Sequence, residues 1–270
     1  MKPYTCDRCR KDKLMNIKIA LLQFDIAWED TGYNLKYLTK ALMNLEEDTD
    51  VLILPEMFHC GFSMAPENND QVDGGEVLEW MKNTANELGI AIMGSAIVQV
   101  QNKYFNRLYV VHDGTVNWYD KRHLFTMGEE HMHYQRGLER LIIEVKGWRI
   151  CPLICYDLRF PVWSRNTGHY YDVLVYVANW PAARRDVWNT LLKARAIENQ
   201  SYVIGVNRIG KDNQLEYAGD SQAINARGQV ALNCGDQEGL FYVILNRVEL
   251  DVFRTKFPVL GDADEFSLNP

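Results

Sequence analysis

Two short apolar runs, Val51-Leu-Ile-Leu54 and the stretch from Asp172 to Ala178, constrain this chain most. A strand with one wet face alternates apolar and polar residues, whereas a strand covered on both faces reads as a continuous apolar run. Both runs therefore demand a sheet buried on two sides. The first follows Ile17–Phe24, rich in strand formers, and a segment with Leu35, Leu38, Leu42 and Leu45 on one helical face. Asn34 is the expected N-cap of that helix. Strand, helix, buried strand is the start of a βαβ unit. Val77, Trp80, Met81, Thr84, Ala85 and Leu88 then predict a second helix.

The middle of the chain changes pattern. Residues 90–100, 106–112 and 115–119 read as successive strands, with His112-Asp-Gly-Thr115 as a hairpin turn. Residues 142–145 and 148–154 pair across Lys146-Gly147. Trp188, Leu191, Leu192 and Ala196 form a helix face, and residues 202–207, 221–225, 229–232 and 240–245 complete the strands. Leu250, Phe253 and Phe257 mark a last short helix, closed by Pro258. Helices this sparse cover only outer faces. The expectation is an α/β fold of two sheets packed face to face with helices outside, in one domain.

The 270 residues allow one large core, and the formal net charge of −7 disfavours nucleic acid or an anionic membrane as partner. No apolar run approaches the roughly 20 residues needed to span a bilayer. A cytoplasmic protein with reduced thiols is expected. Residues 1–14 carry Cys6-Asp-Arg-Cys9 in a basic, weakly apolar leader, read as a disordered extension to a domain of residues 15–270. One CxxC pair without a second is thin support for a zinc or redox module.

Chemistry gathers at the strand ends. Glu56 follows Val51–Leu54, Lys121 follows the 115–119 strand, and Cys155 follows 148–154; Asn179-Trp180 follows the run ending at Ala178. In Cys155-Tyr-Asp-Leu-Arg-Phe-Pro161 the proline suits the first turn of a helix, which puts Cys155 on a sharp strand-to-helix turn. Alone, Cys155 could be a small buried residue, Glu56 a loop carboxylate and Lys121 part of a solvated face. Together they meet the needs of acyl transfer. The cysteine attacks, the glutamate takes its proton, and the lysine with the Tyr156 backbone N–H stabilises the oxyanion.

The segments Leu-Pro-Glu56-Met-Phe, Tyr-Asp-Lys121-Arg-His-Leu-Phe and Cys155-Tyr-Asp-Leu-Arg-Phe-Pro resemble, in order, the three signatures of the nitrilase superfamily of carbon–nitrogen hydrolases. The resemblance spans roughly residues 16–265. It implies a four-layer α-β-β-α sandwich, a homodimer, and catalysis by Glu56, Lys121 and Cys155 without metal or organic cofactor. It also implies a second glutamate beyond the lysine. Of Glu129 and Glu130, Glu130 has the family's spacing to Gly137. His123–Tyr134, Val177–Pro181 and Ala194–Gln200 are similar to the omega-amidase branch, whose members hydrolyse the terminal amide of 2-oxoglutaramate, often also of 2-oxosuccinamate, to the 2-oxo acid and ammonia. Such a small-molecule substrate carries a remote carboxylate. Arg184 and Arg185 are candidates to hold it, with Phe58 and Trp180 as pocket walls. Arg159 could brace the turn through an ion pair or touch substrate. Other activities of the superfamily (nitrilase, N-carbamoyl amino acid hydrolase, aliphatic amidase) share the triad. A metallohydrolase built on His131 and His133 is the distant alternative.

Overall fold

The computed structural model describes residues 15–69, 71–167 and 170–268; the leader with Cys6 and Cys9 lies outside them. Strand β1 (Asn16–Gln23) leads through α1 (Thr31–Leu42) to β2 (Val51–Ile53). A short α2 (Pro66–Asn69) and β3 (Gln71–Val72) precede α3 (Gly75–Leu88). Next come β4 (Ala91–Val100), β5 (Lys103–His112), β6 (Thr115–Asp120) and the single turn α4 (Glu130–His133). Strands β7 (Ile143–Val145) and β8 (Trp148–Ile154) run to α5 (Pro161–Ser164), β9 (Val173–Ala178) and α6 (Arg185–Asn199). Then follow β10 (Tyr202–Asn207), the hairpin β11 (Ile209–Lys211) and β12 (Glu216–Ala218), and β13 (Gln222–Ile224). The last elements are β14 (Val230–Asn233), β15 (Gly239–Asn246) and α7 (Arg247–Lys256).

One sheet runs β15-β1-β2-β4-β5-β6, with β3 beside β4; the other runs β14-β13-β10-β9-β8-β7. Each has a parallel centre, β1-β2-β4 and β8-β9-β10, flanked by antiparallel strands. The alternation along β1 shows how four layers arise. Ile17, Ile19 and Leu21 enter the cluster between the sheets, with Trp148, Ile150 and Leu174. Ala20 and Leu22 turn outward, onto Leu38 and Leu42 of α1 and Val77 and Met81 of α3. On the far side Trp188, Leu192 and Ala196 of α6 cover the second sheet. This is the α-β-β-α sandwich in one domain. No helix among the described residues is long and apolar enough to cross a membrane.

The expected helix cap is corrected. Helix α1 begins three residues before Asn34, and the Asp30 carboxylate accepts from the Tyr33 N–H as its N-cap. Asn34 is buried instead, exchanging hydrogen bonds with Ala27 and donating to the His59 carbonyl at 2.8 Å. The His59 ring is also fully buried. Its Nε2 accepts from the Ile97 N–H at 3.1 Å, so Nδ1 carries the proton toward Thr31 Oγ1. Burial pushes the His59 pKa down to about 3. An unfolded chain protonates this ring below about pH 6.5 while the folded one does not, so acid favours unfolding. Urea denaturation of wild type should therefore lose up to ~1.4 kcal/mol more per pH unit between pH 6 and 4 than His59→Gln. Parallel pH profiles would contradict this assignment.

The sequence reading missed the two-residue β3, the hairpin β11–β12 and the single-turn helices α2 and α4. The hairpin stands outside both sheets, joined to the body by bridges from Asp25 to Ile209 and from Pro181 to Tyr217.

Candidate active site

Because β2, β8 and β9 run parallel within their sheets, the residues that follow them emerge on a common rim, as open α/β sheets generally arrange. Glu56 leaves β2 through Pro55, Lys121 is the residue after β6, Cys155 the residue after β8, and Asn179 the residue after β9. Glu56, Lys121 and Glu130 have no solvent exposure. Lys121 Nζ donates to Glu56 Oε1 at 2.9 Å and to both oxygens of Glu130 at 3.0 Å. Its ammonium lies 5.1 Å above the Phe62 ring. Burial alone would lower the lysine pKa; the Glu130 and Glu56 charges outweigh it and raise it. Burial holds the Glu130 carboxyl above the usual range, against the pull of Lys121.

Of the two adjacent glutamates, Glu129 is exposed at a left-handed backbone position while Glu130 reaches Lys121. The Phe125 N–H also donates to Glu130, at 2.6 Å. Gly137 is required by sterics. A Cβ there would sit 2.0 Å from the Asp120 carbonyl oxygen, while its N–H donates to the Lys121 carbonyl. The chain beyond Glu130 thus crosses directly over the Lys121 backbone.

Cys155 occupies the turn with φ +41°, a conformation costly for any residue with a side chain. Residues Cys155–Arg159 form a 3₁₀ turn, and Pro161 opens α5, as expected from the sequence. The buried Asp157 ties the turn down. Its carboxylate accepts from the Ile154 N–H at 3.0 Å, the His123 N–H at 3.0 Å and the Tyr119 hydroxyl at 2.7 Å. Burial pushes the Cys155 thiol well above its ordinary pKa; the Glu56 charge adds to this, Lys121 opposes it, and a hydrogen bond to Glu56 reinforces it. This environment favours the protonated thiol over the thiolate.

Glu56, Lys121, Cys155 and Tyr156 line one cavity of about 440 Å³, its open mouth included. Trp180 is on its wall, with Nε1 donating to the Arg184 carbonyl at 2.8 Å. Arg184 and Arg159 also face this cavity. Arg159 stacks 5.1 Å from the Trp180 ring centre and Arg184 lies 5.3 Å from that of Phe125. Among the described residues no carboxylate pairs with either guanidinium, so the ion pair considered for Arg159 is absent.

Two expected residues are elsewhere. The Arg185 guanidinium turns away to pair with Asp220, its Nη2 at 2.6 Å. Phe58 is in the core beneath α3, its ring 5.9 Å from Trp80, and so close to β4 that a Cβ on Gly94 would fall 2.8 Å from it. Phe58 lies in the turn after β2, whose direction no periodicity sets. Phe58 faces the helix layer, and Phe62 and Phe125 supply the aromatic walls. His131 and His133 are exposed on α4, and among the described residues no three His, Cys, Asp or Glu side chains cluster to share a cation.

Sequence reasoning also missed Asn106. Its Nδ2 donates to Glu56 at 2.8 Å and to Glu130 at 3.3 Å, and its Oδ1 accepts from Ser95. No local signal marked it, because β5 also carries Lys103, Arg107 and His112 and a polar residue there is unremarkable.

A family model described as carbon-nitrogen hydrolase matches residues 18–255. The chain is 46% identical over 255 residues to the omega-amidase YafV of Escherichia coli, covering 93% of this chain and 98% of that one. It is 35% identical over 255 residues to the 2-oxoglutaramate amidase of Bacillus subtilis, with 92% and 98% covered. Its fold superimposes with a TM-score of 0.91 on a CN-hydrolase superfamily protein from Xanthomonas campestris whose crystal structure has an arsenic adduct in the active site. The two are 42% identical over 94% of this chain and 99% of that one. A four-layer sandwich, a cavity that gathers a glutamate, a lysine and a cysteine at its strand ends, and a match along nearly the whole sequence converge on one assignment: the chain belongs to the carbon-nitrogen hydrolase family.

Proposed function

We propose that the protein is an omega-amidase, cleaving the terminal amide of 2-oxoglutaramate or 2-oxosuccinamate to the 2-oxo acid and ammonia. The observation that carries this reading is the pairing, on one cavity, of Cys155 with two guanidiniums, Arg159 and Arg184, that have no carboxylate partner among the described residues. A bare cation on an aromatic wall awaits an anion, and a guanidinium binds a carboxylate through two parallel hydrogen bonds. The near-full-length likeness to omega-amidase YafV and to a 2-oxoglutaramate amidase supports the same substrate class.

In this mechanism Glu56 removes the thiol proton as Cys155 attacks the amide carbon. Lys121 and the Tyr156 N–H hold the oxyanion. Glu56 returns the proton to the departing nitrogen, ammonia leaves, and a thioester remains. Water, deprotonated by Glu56, then attacks the thioester carbon, and the thiol is restored with release of the acid. Glu130 and Asn106 act through Lys121 and Glu56, by fixing their positions. A cytoplasmic homodimer goes with this reading.

Ammonia release should be measured side by side from 2-oxoglutaramate, 2-oxosuccinamate, glutamine, a simple nitrile and an N-carbamoyl amino acid. The 2-oxo amides are expected to lead. Arg159→Met and Arg184→Met should each raise KM for 2-oxoglutaramate by about tenfold or more, the worth of one charged hydrogen bond, with little change for an uncharged aliphatic amide. A nitrile or carbamoyl compound leading the panel would replace this substrate with that one.

A further inference from the structure

One polar atom at the reaction centre stands without a partner. Asn179, the residue after β9, is 5% exposed and lines the same cavity as Cys155. Its backbone N–H donates to Glu56 Oε2 at 2.8 Å, and its Nδ2 donates to the Glu56 backbone carbonyl at 2.5 Å. Its Oδ1 is buried without a hydrogen bond among the described residues. The orientation of the amide is settled by the carbonyl that faces Nδ2, because the flipped form would set two acceptors against each other. A buried amide oxygen left unpaired costs about 1–3 kcal/mol, which a donor on a bound ligand would recover.

The groups proposed to act at the reacting carbon are of two kinds. Lys121 and the Tyr156 N–H are donors, suited to the carbonyl oxygen. The nitrogen of an unsubstituted amide is the opposite case, with two N–H groups that need acceptors. The Glu56 carboxylate can serve one of them, and it is already tied to Asn179.

We propose that Asn179 Oδ1 accepts a hydrogen bond from the carboxamide nitrogen of the substrate, making this enzyme selective for primary amides over esters of the same acid. The inference rests on the acyl-transfer reading of Glu56 and Cys155 and deepens it. Asn179 braces Glu56 with its nitrogens and holds the leaving nitrogen with its oxygen. The nitrogen that must take the Glu56 proton is thereby held beside that carboxylate. An ester offers no N–H and gains nothing from Oδ1.

The test compares kcat/KM for 2-oxoglutaramate and for the 5-methyl ester of 2-oxoglutarate in wild type, Asn179→Ala and Asn179→Asp. Both substrates form the same thioester, but the amide nitrogen needs the Glu56 proton to leave, so a displaced Glu56 also lowers the amide more. Asn179→Asp controls for this, because it removes the Nδ2 bond to the Glu56 carbonyl and keeps an acceptor oxygen. Loss of Oδ1 lowers only the amide. Asn179→Ala is expected to cut the amide-to-ester ratio about 10–100-fold, the worth of a hydrogen bond to a reacting group. Asn179→Asp, which keeps an acceptor oxygen, should retain a ratio near that of wild type even where both rates fall. An unchanged ratio in Asn179→Ala overturns the proposal and leaves Asn179 as a brace for Glu56 alone. An Asn179→Asp ratio that collapses like that of alanine overturns it too. If wild type prefers another primary amide, the substrate reading fails by itself, and the same ratio is taken on that amide and its methyl ester.

Discussion

Cys155→Ala is expected to bring ammonia release below detection, a fall of more than about 10⁴-fold, because removing a nucleophile removes the covalent route altogether. The fold should persist. Alanine keeps the Cβ, the position already tolerates φ +41°, and only one small atom is deleted, so the change in unfolding free energy is about 1 kcal/mol. Urea denaturation and ammonia release on the same preparation separate the two effects. A variant that turns over at the wild-type rate would end the thioester mechanism. Iodoacetamide provides a second check. Cys60, Cys151 and Cys234 are buried, whereas Cys155 is partly open to a cavity that also holds Glu56 to take its proton, so Cys155 should be labelled before them.

Lys121→Met should cost both activity and stability. The ammonium contacts both Glu56 and Glu130, and all three side chains are sealed from solvent. Deleting one member of such a buried group strands the remaining charges and destabilises by about 3–5 kcal/mol. The sign of the pH dependence follows. Without Lys121 the Glu130 carboxyl, already held high by burial and by Glu56, rises further above its unfolded value. The folded variant then binds protons that the unfolded chain does not, so its deficit against wild type should shrink as pH falls from 8 toward 5. Turnover should be lost throughout, since the oxyanion loses its ammonium donor. Wild-type stability at pH 8 together with an active variant would contradict both expectations. An arginine at this position is not a mild substitute, because its planar fork is larger than a cavity shaped around one ammonium.

The layers were legible because burial leaves a local mark. Continuous apolar runs identified the parallel central strands, and helical spacing identified α1, α3 and α6. Their ends agree with the structure to within a few residues. The hairpin β11–β12 left no such mark. It has little buried surface of its own, and its place is set by contacts with Asp25 and Pro181, far away in the chain. Asn34 looked like a cap because a polar residue before an apolar face usually is one. It is instead a buried bracket for His59, a role visible only when the partner is in place.

The site divides in the same way. Glu56 and Cys155 follow parallel strands and Lys121 follows β6, so their positions at strand ends already suggested that they would meet. Tertiary packing decided everything about direction. Phe58 and Phe62 both lie in the irregular segment after β2, and only its path in the fold turns Phe58 to the helices and Phe62 to Lys121. Adjacent residues Arg184 and Arg185 are equal as letters. The first opens onto the cavity, and the second is neutralised by Asp220, a residue 35 positions later that folding alone brings beside it. The strand ends by themselves pointed to Glu56, Lys121 and Cys155 as one group on a fold of two packed sheets, and the structure places all three on one cavity. Which guanidiniums remain free for a carboxylate, and that Asn179 keeps an unpaired oxygen, was decided only by long-range pairing, because whether a polar group is satisfied depends on partners the local sequence does not contain.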